Sequence, residues 1–268
     1  MSKRKPTRGG EGASRSGTRE GRLASQWLYG THPVLAALAN PRRRCRRIIL
    51  TVEAERALGG RLAGLLREKP GLQPEIMARP ELDRILPGAI HQGAALQVDP
   101  LEEPDLDEVL REGVSRTNAV LLVLDQVTDP HNVGAILRSA SAFGALAVVL
   151  TERHAPGVGA TLAKSASGAL ERTPLVRVTN LARALEDIKK AGYWCAGLDA
   201  DAPTSIAEAR LDGRIALVLG AEGRGMRRLT QEHCDLLVRI PMAPGAVASL
   251  NVSNAAAVAL YELFRTAQ

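Results

Sequence analysis

The sequence predicts an α/β protein built on a parallel sheet. From residue 119 onward, short apolar runs alternate with stretches of helical character. Continuous apolar runs without polar alternation are typical of strands that are covered by helices on both faces. The hydrophobic fraction of 45% in 268 residues is enough for one large core or two modest ones. The predicted strands are 119–124, 145–150, 175–178, 193–198, 214–220 and 236–242.

Helices are predicted between most of these strands and at the chain's end. In the first, Val133, Ile136, Leu137 and Ala140 recur at helical spacing and form one face, with Arg138 at its margin. The pattern also puts Asn132 at the N-cap of this helix. The predicted helices are 132–143, 160–170, 180–192, 225–233 and 249–267.

A smaller α/β unit is predicted before this region. It contains helices at 31–40, 55–69 and 80–87, and strands at 46–52, 74–78 and 93–98. An acidic, proline-bearing segment with a helical middle follows, which is typical of a linker. The predicted organisation is a tail (1–26), a small α/β domain (27–99), a linker (100–117) and a larger domain (118–268).

The positive charge is concentrated at the N-terminus. Of the net charge of +6, residues 1–22 carry +5, from seven basic and two acidic side chains. This Gly/Ser/Arg-rich tail is predicted to be disordered and either to contact nucleic-acid phosphates or only to aid solubility. A second cluster, PRRRCRRIIL at 41–50, holds five arginines. The two clusters together favour a nucleic-acid partner.

Several classes of protein are disfavoured. No apolar run is long enough for a membrane span, and the N-terminus lacks the apolar core of a secretory signal. Three distant cysteines predict neither disulfides nor a zinc site, and no other set of metal ligands is spaced for binding. The glycine patterns of dinucleotide-binding and phosphate-binding loops are missing. We expect a cytoplasmic protein without a metal.

Three polar loops follow predicted strands, with the sequences DQVTDPHN (125–132), GAEGRGM (220–226) and PMAPGAVASLN (241–251). Ligands of such sheets bind beyond the carboxyl ends of the strands, so the loops predict one pocket made mainly of backbone groups. Taken singly, each polar residue also has an ordinary structural explanation. Asn132 suits a cap, Arg138 a surface position and Glu222 a turn, and capping accounts for either Ser249 or Asn251.

Taken together, the loops resemble a known family. DPHNVGAILRSASAFG, LVLGAEGRGM and IPMAPGAVASLNVSNAAAV are similar, in this order, to the three signature motifs of the SpoU/TrmH family of RNA ribose 2′-O-methyltransferases. YGTHPVLAAL (29–38) and IHQGAALQV (90–98) resemble the substrate-binding domain of members that modify a guanosine of 23S rRNA. The resemblance covers about residues 27–268.

The resemblance implies a SPOUT-like fold with a C-terminal trefoil knot, preceded by a small RNA-binding domain. It also implies a homodimer with the active site at its interface, and S-adenosylmethionine as the cofactor. The implied cofactor-binding residues are Gly220, Ala221, Ile240, Met242 and Leu250. The implied catalytic residues are Asn132, Arg138, Glu222, Ser249 and Asn251.

The chemistry suits this set of residues. Methyl transfer to a ribose hydroxyl is an in-line displacement that needs alignment and removal of a proton, but no metal. The resemblance implies that Arg138 assists deprotonation. Since a guanidinium with a pKa above about 12 is a poor base, Arg138 has an alternative role in gripping a phosphate. The same chemistry on transfer RNA and a non-catalytic RNA-binding protein remain as alternative functions.

Overall fold

The computed structural model describes residues 26–153, 160–243 and 249–267. The predicted basic tail, apart from its last residue, lies outside the described residues. Residues 244–248 of the PMAPGAVASLN loop also lie outside them.

The small domain contains a four-stranded mixed sheet. Its strands are β1 (Gln26–Tyr29), β2 (Cys45–Leu50), β3 (Pro74–Ile76) and β4 (Ala94–Val98), in the order β1-β4-β2-β3. Strand β4 is antiparallel to β1 and β2, whereas β3 is parallel to β2. The helices are α1 (Thr31–Ala39), α2 (Val52–Arg67) and α3 (Arg79–Ile85). Strand β1 was not among the predicted elements, and α2 is broken at Gly59, where φ is 41°.

The large domain contains a seven-stranded sheet in which every pair is parallel, which confirms the predicted α/β class. The strand order is β7-β6-β5-β10-β8-β11-β9. The strands are β5 (Ala119–Asp125), β6 (Ala147–Thr151), β7 (Leu175–Val178), β8 (Trp194–Leu198), β9 (Thr204–Ser205), β10 (Arg214–Gly220) and β11 (Leu236–Arg239). The short β9 was not predicted. Strand β11 ends before the predicted 242, since Pro241 has no N–H to donate.

Helices cover both faces of this sheet. They are α4 (Leu106–Val114), α5 (Pro130–Ala142), α6 (Ala160–Ala166), α7 (Leu181–Lys190), α8 (Arg228–Glu232) and α9 (Val252–Thr266), with a 3-10 helix at Ala169–Glu171. Successive residues of β5 point to opposite faces, so Leu122 packs in the layer of α5 and α9, and Leu121 in the layer of α4 and α7. Helix α4 therefore packs on the sheet, although it lies within the predicted linker 100–117.

The two domains are packed against each other. The apolar layer that contains α5 and α9 continues into the small domain. A Cβ atom on Gly168 would lie 2.5 Å from the Cβ of Ala36, so only glycine allows this approach. Beside it, the Arg43 guanidinium and the Glu171 carboxylate form an ion pair at 2.5 Å, with side chains 2% and 3% exposed. Asn40 Nδ2 donates a further hydrogen bond to Glu171, at 2.8 Å.

The arginine cluster at 41–50 is partly neutralised by carboxylates. Besides Arg43, Arg46 pairs with Asp99 and Arg47 with Glu75. Three of its five arginines are therefore paired with carboxylates within the described residues, and the density of arginine overstates the charge that the cluster offers to a partner.

No helix of the described ranges is long and apolar enough to cross a membrane. Within the same ranges, no group of three or more His, Cys, Asp or Glu side chains is placed to hold a metal ion.

Candidate active site

Two of the polar loops leave the sheet side by side. Strands β5 and β10 are parallel neighbours, with Asp125 paired with Gly220. The fully buried Asp125 carboxylate accepts hydrogen bonds from Arg227 N and Nε, both at 2.8 Å. The acid that ends β5 therefore holds the chain just after the GAEGRGM loop.

Helix α5 begins earlier than the sequence predicted. Its N-cap is Asp129, whose carboxylate accepts from His131 N at 2.9 Å, and Pro130 occupies the first helical position. Proline suits that position because its missing N–H would have had no partner there. The prediction that Asn132 caps the helix is therefore wrong. The Asn132 side chain is left for another partner.

That partner comes from the third loop. Asn251 Nδ2 donates to Asn132 Oδ1 at 3.1 Å and to Glu222 Oε2 at 3.3 Å. Asn251 also caps α9, because its Oδ1 accepts from Ser253 N at 2.9 Å. Helix capping thus accounts for the hydrogen bond of the Asn251 side-chain oxygen, but not for those of its side-chain nitrogen. One hydrogen-bonded cluster joins a residue from each of the three loops.

A cavity of about 410 Å³, here called the strand-end cavity, opens beside this cluster. Its walls are the loops after β8, β10 and β11 and the start of α9, which is where ligands of parallel sheets bind. The predicted residues that line it are Gly220, Ala221, Glu222, Ile240, Met242, Ser249 and Leu250.

Glycine is required at one wall of this cavity. Ala221 and Gly225 exchange backbone hydrogen bonds of 3.1 and 2.8 Å, which fold the loop back on itself. A Cβ atom on Gly220 would lie 2.0 Å from the carbonyl carbon of Gly225. Backbone atoms cannot yield as a flexible side chain does, so a larger residue would open the loop.

The wall after β8 was not predicted from the sequence. Asp199 and Asp201 line the strand-end cavity, and Asp199 is held by Gln231 Nε2 and by the backbone N–H of Asp201, both at 2.9 Å. The signal was available, since Asp199 follows the apolar run YWCAGL as Asp125 follows AVLLVL. With Glu222, these carboxylates outnumber the single guanidinium of Arg224, so the cavity suits a ligand with positive charge.

Arg138 does not line the strand-end cavity. It lies six residues beyond Asn132 on α5, about 9 Å along the helix axis. It lines a second cavity, of about 530 Å³, between the two domains, here called the junction cavity. Within one chain, the structure brings Asn132, Glu222 and Asn251 together and places Arg138 elsewhere.

Comparison with known proteins supplies the family. Residues 119–261 match the SpoU rRNA Methylase family, and residues 27–104 match the RNA 2′-O ribose methyltransferase substrate binding family. The 23S rRNA (guanosine-2′-O-)-methyltransferase RlmB of Escherichia coli is 42% identical over 90% of this chain and 98% of its own length. The enzyme of the same name from Xylella fastidiosa is 54% identical over 55% of this chain. A Synechocystis tRNA/rRNA methyltransferase is 41% identical over 89% of this chain.

The match spans different shares of these relatives. It covers 59% of the Xylella protein and 62% of the Synechocystis protein, which is about three fifths of each.

Solved structures agree with the sequence relatives. The SpoU methyltransferase AviRb from Streptomyces viridochromogenes has a TM-score of 0.73 and 26% identity, covering 90% of this chain and 89% of that chain. Its complex with the cofactor AdoMet has a TM-score of 0.71 and 27% identity, with the same coverage. The chain therefore belongs to the SpoU rRNA methylase family.

Proposed function

We propose that the protein transfers a methyl group from S-adenosylmethionine to the ribose 2′-hydroxyl of a guanosine in 23S rRNA, in the cytoplasm. The observation that carries this proposal is the match to the Escherichia coli 23S rRNA enzyme over 90% of this chain, both domains included. A solved structure described as acting on C/U34 of tRNA matches only 56% of the chain. The small domain thus favours ribosomal RNA over transfer RNA.

The strand-end cavity fits the proposed cofactor. Its volume lies in the range of small-molecule sites, and its walls combine loop backbone with the carboxylates of Asp199, Asp201 and Glu222. These groups suit a ligand with a sulfonium charge and a polar amino-acid end. We assign its binding to Gly220, Ala221, Ile240, Met242 and Leu250. When bound, S-adenosylmethionine supplies an electrophilic methyl group.

The hydrogen-bonded cluster is placed to orient a ribose. The Asn132 carbonyl oxygen and the Glu222 carboxylate are acceptors for a hydroxyl, and Asn251 fixes both of them from one amide. Holding the hydroxyl in line with the reacting methyl group removes much of the entropic barrier. We assign Glu222 to accept the hydroxyl proton and Ser249 to contact the ribose or the cofactor. Arg138 is assigned to a neighbouring phosphate, since a guanidinium is a poor base.

The proposed fold and assembly follow the family. We propose that the segment leading to α9 threads the preceding loop in a trefoil knot, and that the protein is a homodimer. Support for the dimer comes from α9, where Val258, Tyr261 and Phe264 remain 44%, 53% and 40% exposed on one face. Phe143, the C-cap residue of α5, packs edge-on against the Tyr261 ring and at a tilt against the Phe264 ring, and it extends this apolar surface.

The experiment that tests the function is mass-spectrometric mapping of ribose methylation in 23S rRNA from cells lacking the protein. One missing 2′-O-methylguanosine is expected. Wild type should restore it, whereas Arg138→Ala should not. The matched control is Arg183→Ala on α7, which removes an exposed arginine that lines neither cavity and should restore the mark.

Other outcomes point to the alternatives. An intact 23S map with a missing ribose methyl group in transfer RNA would move the substrate to transfer RNA. If calorimetry detects no binding of S-adenosylmethionine, the enzymatic proposal fails and a non-catalytic RNA-binding protein takes its place.

A further inference from the structure

The junction cavity is lined by arginines from both domains. Arg61 comes from α2 of the small domain, Arg138 from α5, and Arg172 from the chain just after the 3-10 helix. All three side chains belong to exposed residues, and His32 of α1 lies on the same wall. No Asp or Glu is among the residues that line this cavity.

These charges are not offset by neighbours. Among the described residues, no carboxylate oxygen lies within 4.0 Å of the three guanidiniums, whereas twelve other basic side chains have such a partner. The nearest carboxylate in sequence, Glu171, is already bound by Arg43 and Asn40. It therefore does not neutralise Arg172.

A neighbouring cavity combines arginines with acids. It is lined by four arginines (Arg42, Arg111, Arg116 and Arg172) and by Glu108 and Glu112, and Arg116 pairs with Glu112 at 2.5 Å. Its positive charge is thus offset in part by its own acids. The junction cavity differs because the described residues that line it include three arginines and no acid, and such a lining favours a multiply charged anion.

Contacts between the two domains hold together the walls of the junction cavity. The contact of Gly168 with Ala36 and the buried Arg43–Glu171 pair join the two domains next to it. Helix α5 links it to the proposed reaction site, because the first turn of α5 carries Asn132 and its middle carries Arg138. Between these two residues the helix rises about 9 Å. A strand whose ribose lies at Asn132 can therefore place a nearby phosphate in the junction cavity.

We propose that the junction cavity binds backbone phosphates of the substrate RNA next to the methylated nucleotide, through Arg61, Arg138 and Arg172. This inference rests on the proposed function for the identity of the RNA. In this arrangement the small domain contributes a direct contact with the RNA, and the two domains share one phosphate site.

The test is the salt dependence of RNA binding by an Arg61→Ala, Arg172→Ala double variant, with 23S rRNA transcribed in vitro as the probe. The logarithm of the RNA-binding constant falls with the logarithm of the salt concentration, and each lost phosphate contact makes this slope shallower by about 0.7 for a single strand. The double variant should therefore have a slope that is shallower by about 1.4. Affinity near physiological salt should fall about tenfold or more, and the KM for RNA should rise more than kcat falls. The Kd for S-adenosylmethionine should not change.

A matched control removes the same charge elsewhere. Arg67→Ala with Arg183→Ala deletes two exposed arginines outside the cavity and should keep the wild-type slope. A lysine pair, Arg61→Lys with Arg172→Lys, should retain most of the slope and shows that charge, not folding, is responsible. If the alanine double variant keeps the wild-type slope, or if the control loses as much, the inference is overturned.

The same measurements separate this inference from the proposed function. If the 23S map is intact but transfer RNA binds with the same arginine-dependent slope, the function fails and the phosphate site stands. If 23S methylation is established and the double variant has a wild-type slope and KM, the phosphate site fails and the function stands. Titration with inorganic phosphate tests whether the cavity instead binds a free anion. The inference would also be overturned if the protein bound inorganic phosphate saturably through Arg61 and Arg172 while the alanine double variant kept the wild-type salt slope for RNA.

Discussion

The strand-end cavity is walled by carboxylates, whereas the junction cavity is walled by guanidiniums. The first contains Asp199, Asp201 and Glu222 against one arginine, and the second contains three arginines and no acid. Two substrates of opposite charge, a sulfonium cofactor and an RNA backbone, would each meet complementary charge. The difference indicates that electrostatics alone can direct the two substrates to separate sites.

The two cavities also differ in what holds them together. The strand-end cavity is formed within the large domain, from loops that follow parallel strands of one sheet. The junction cavity exists only while two domains remain packed. A change in the first should therefore affect cofactor binding with the fold intact, and a change at the junction should affect stability and RNA binding with the cofactor site intact.

The largest effect is expected from Gly220→Ala. The new methyl group would lie about where the backbone of Gly225 and Met226 now lies, so the loop that lines the strand-end cavity must open. Affinity for S-adenosylmethionine should fall more than about 100-fold, as measured by calorimetry. Gly64→Ala in α2 is the matched control, because a Cβ there meets no atom within 4 Å. Cofactor affinity close to wild type in Gly220→Ala would contradict the proposed binding site.

An effect of similar size, on stability and not on cofactor binding, is expected from Glu171→Ala at the junction. The change leaves the buried Arg43 guanidinium without its partner, and breaking a buried pair in this way costs about 3–5 kcal/mol. Denaturant unfolding should report that loss, while the folded fraction keeps its cofactor affinity. Arg46→Ala, which breaks an exposed pair with Asp99, should leave unfolding nearly unchanged. Equal effects of the two variants would mean that the buried pair does not hold the junction.

The strand-end cavity was largely predictable from the sequence. Buried strands are recognisable by their apolar composition. Polar residues at or just beyond their carboxyl ends, such as Asp125 and Glu222, indicate the edge of the sheet where a ligand binds. All five residues assigned to the cofactor line this cavity. The prediction that Asn132 caps α5 was wrong because it rested on the spacing of the apolar residues. Asp129 and Pro130 are the residues that start the helix, as its N-cap and its first helical residue.

The junction cavity was not predictable in the same way. Arg61, Arg138 and Arg172 are separated by 77 and 34 positions in the chain, and no local pattern brings them together. Within PRRRCRRIIL, nothing distinguishes Arg43, which is buried against Glu171, from its exposed neighbours. The burial of Arg43 and the position of the other three arginines around one cavity both depend on how the two domains pack. The hydrophobic periodicity of the sequence carries no information about that packing.

The smallest and most specific effect is expected from Asp199→Asn. The substitution keeps the shape of the side chain and removes one negative charge from the strand-end cavity. The amide oxygen still accepts from the Asp201 backbone N–H, and the amide nitrogen donates to the Gln231 side-chain oxygen once the Gln231 amide turns over. Affinity for S-adenosylmethionine should fall about fivefold, or about 1 kcal/mol. Affinity for S-adenosylhomocysteine, which lacks the sulfonium charge, should change little. Calorimetry with both ligands measures the difference. Equal weakening of both would show that Asp199 acts through structure, and the acidic wall would then have no part in selecting the charged cofactor.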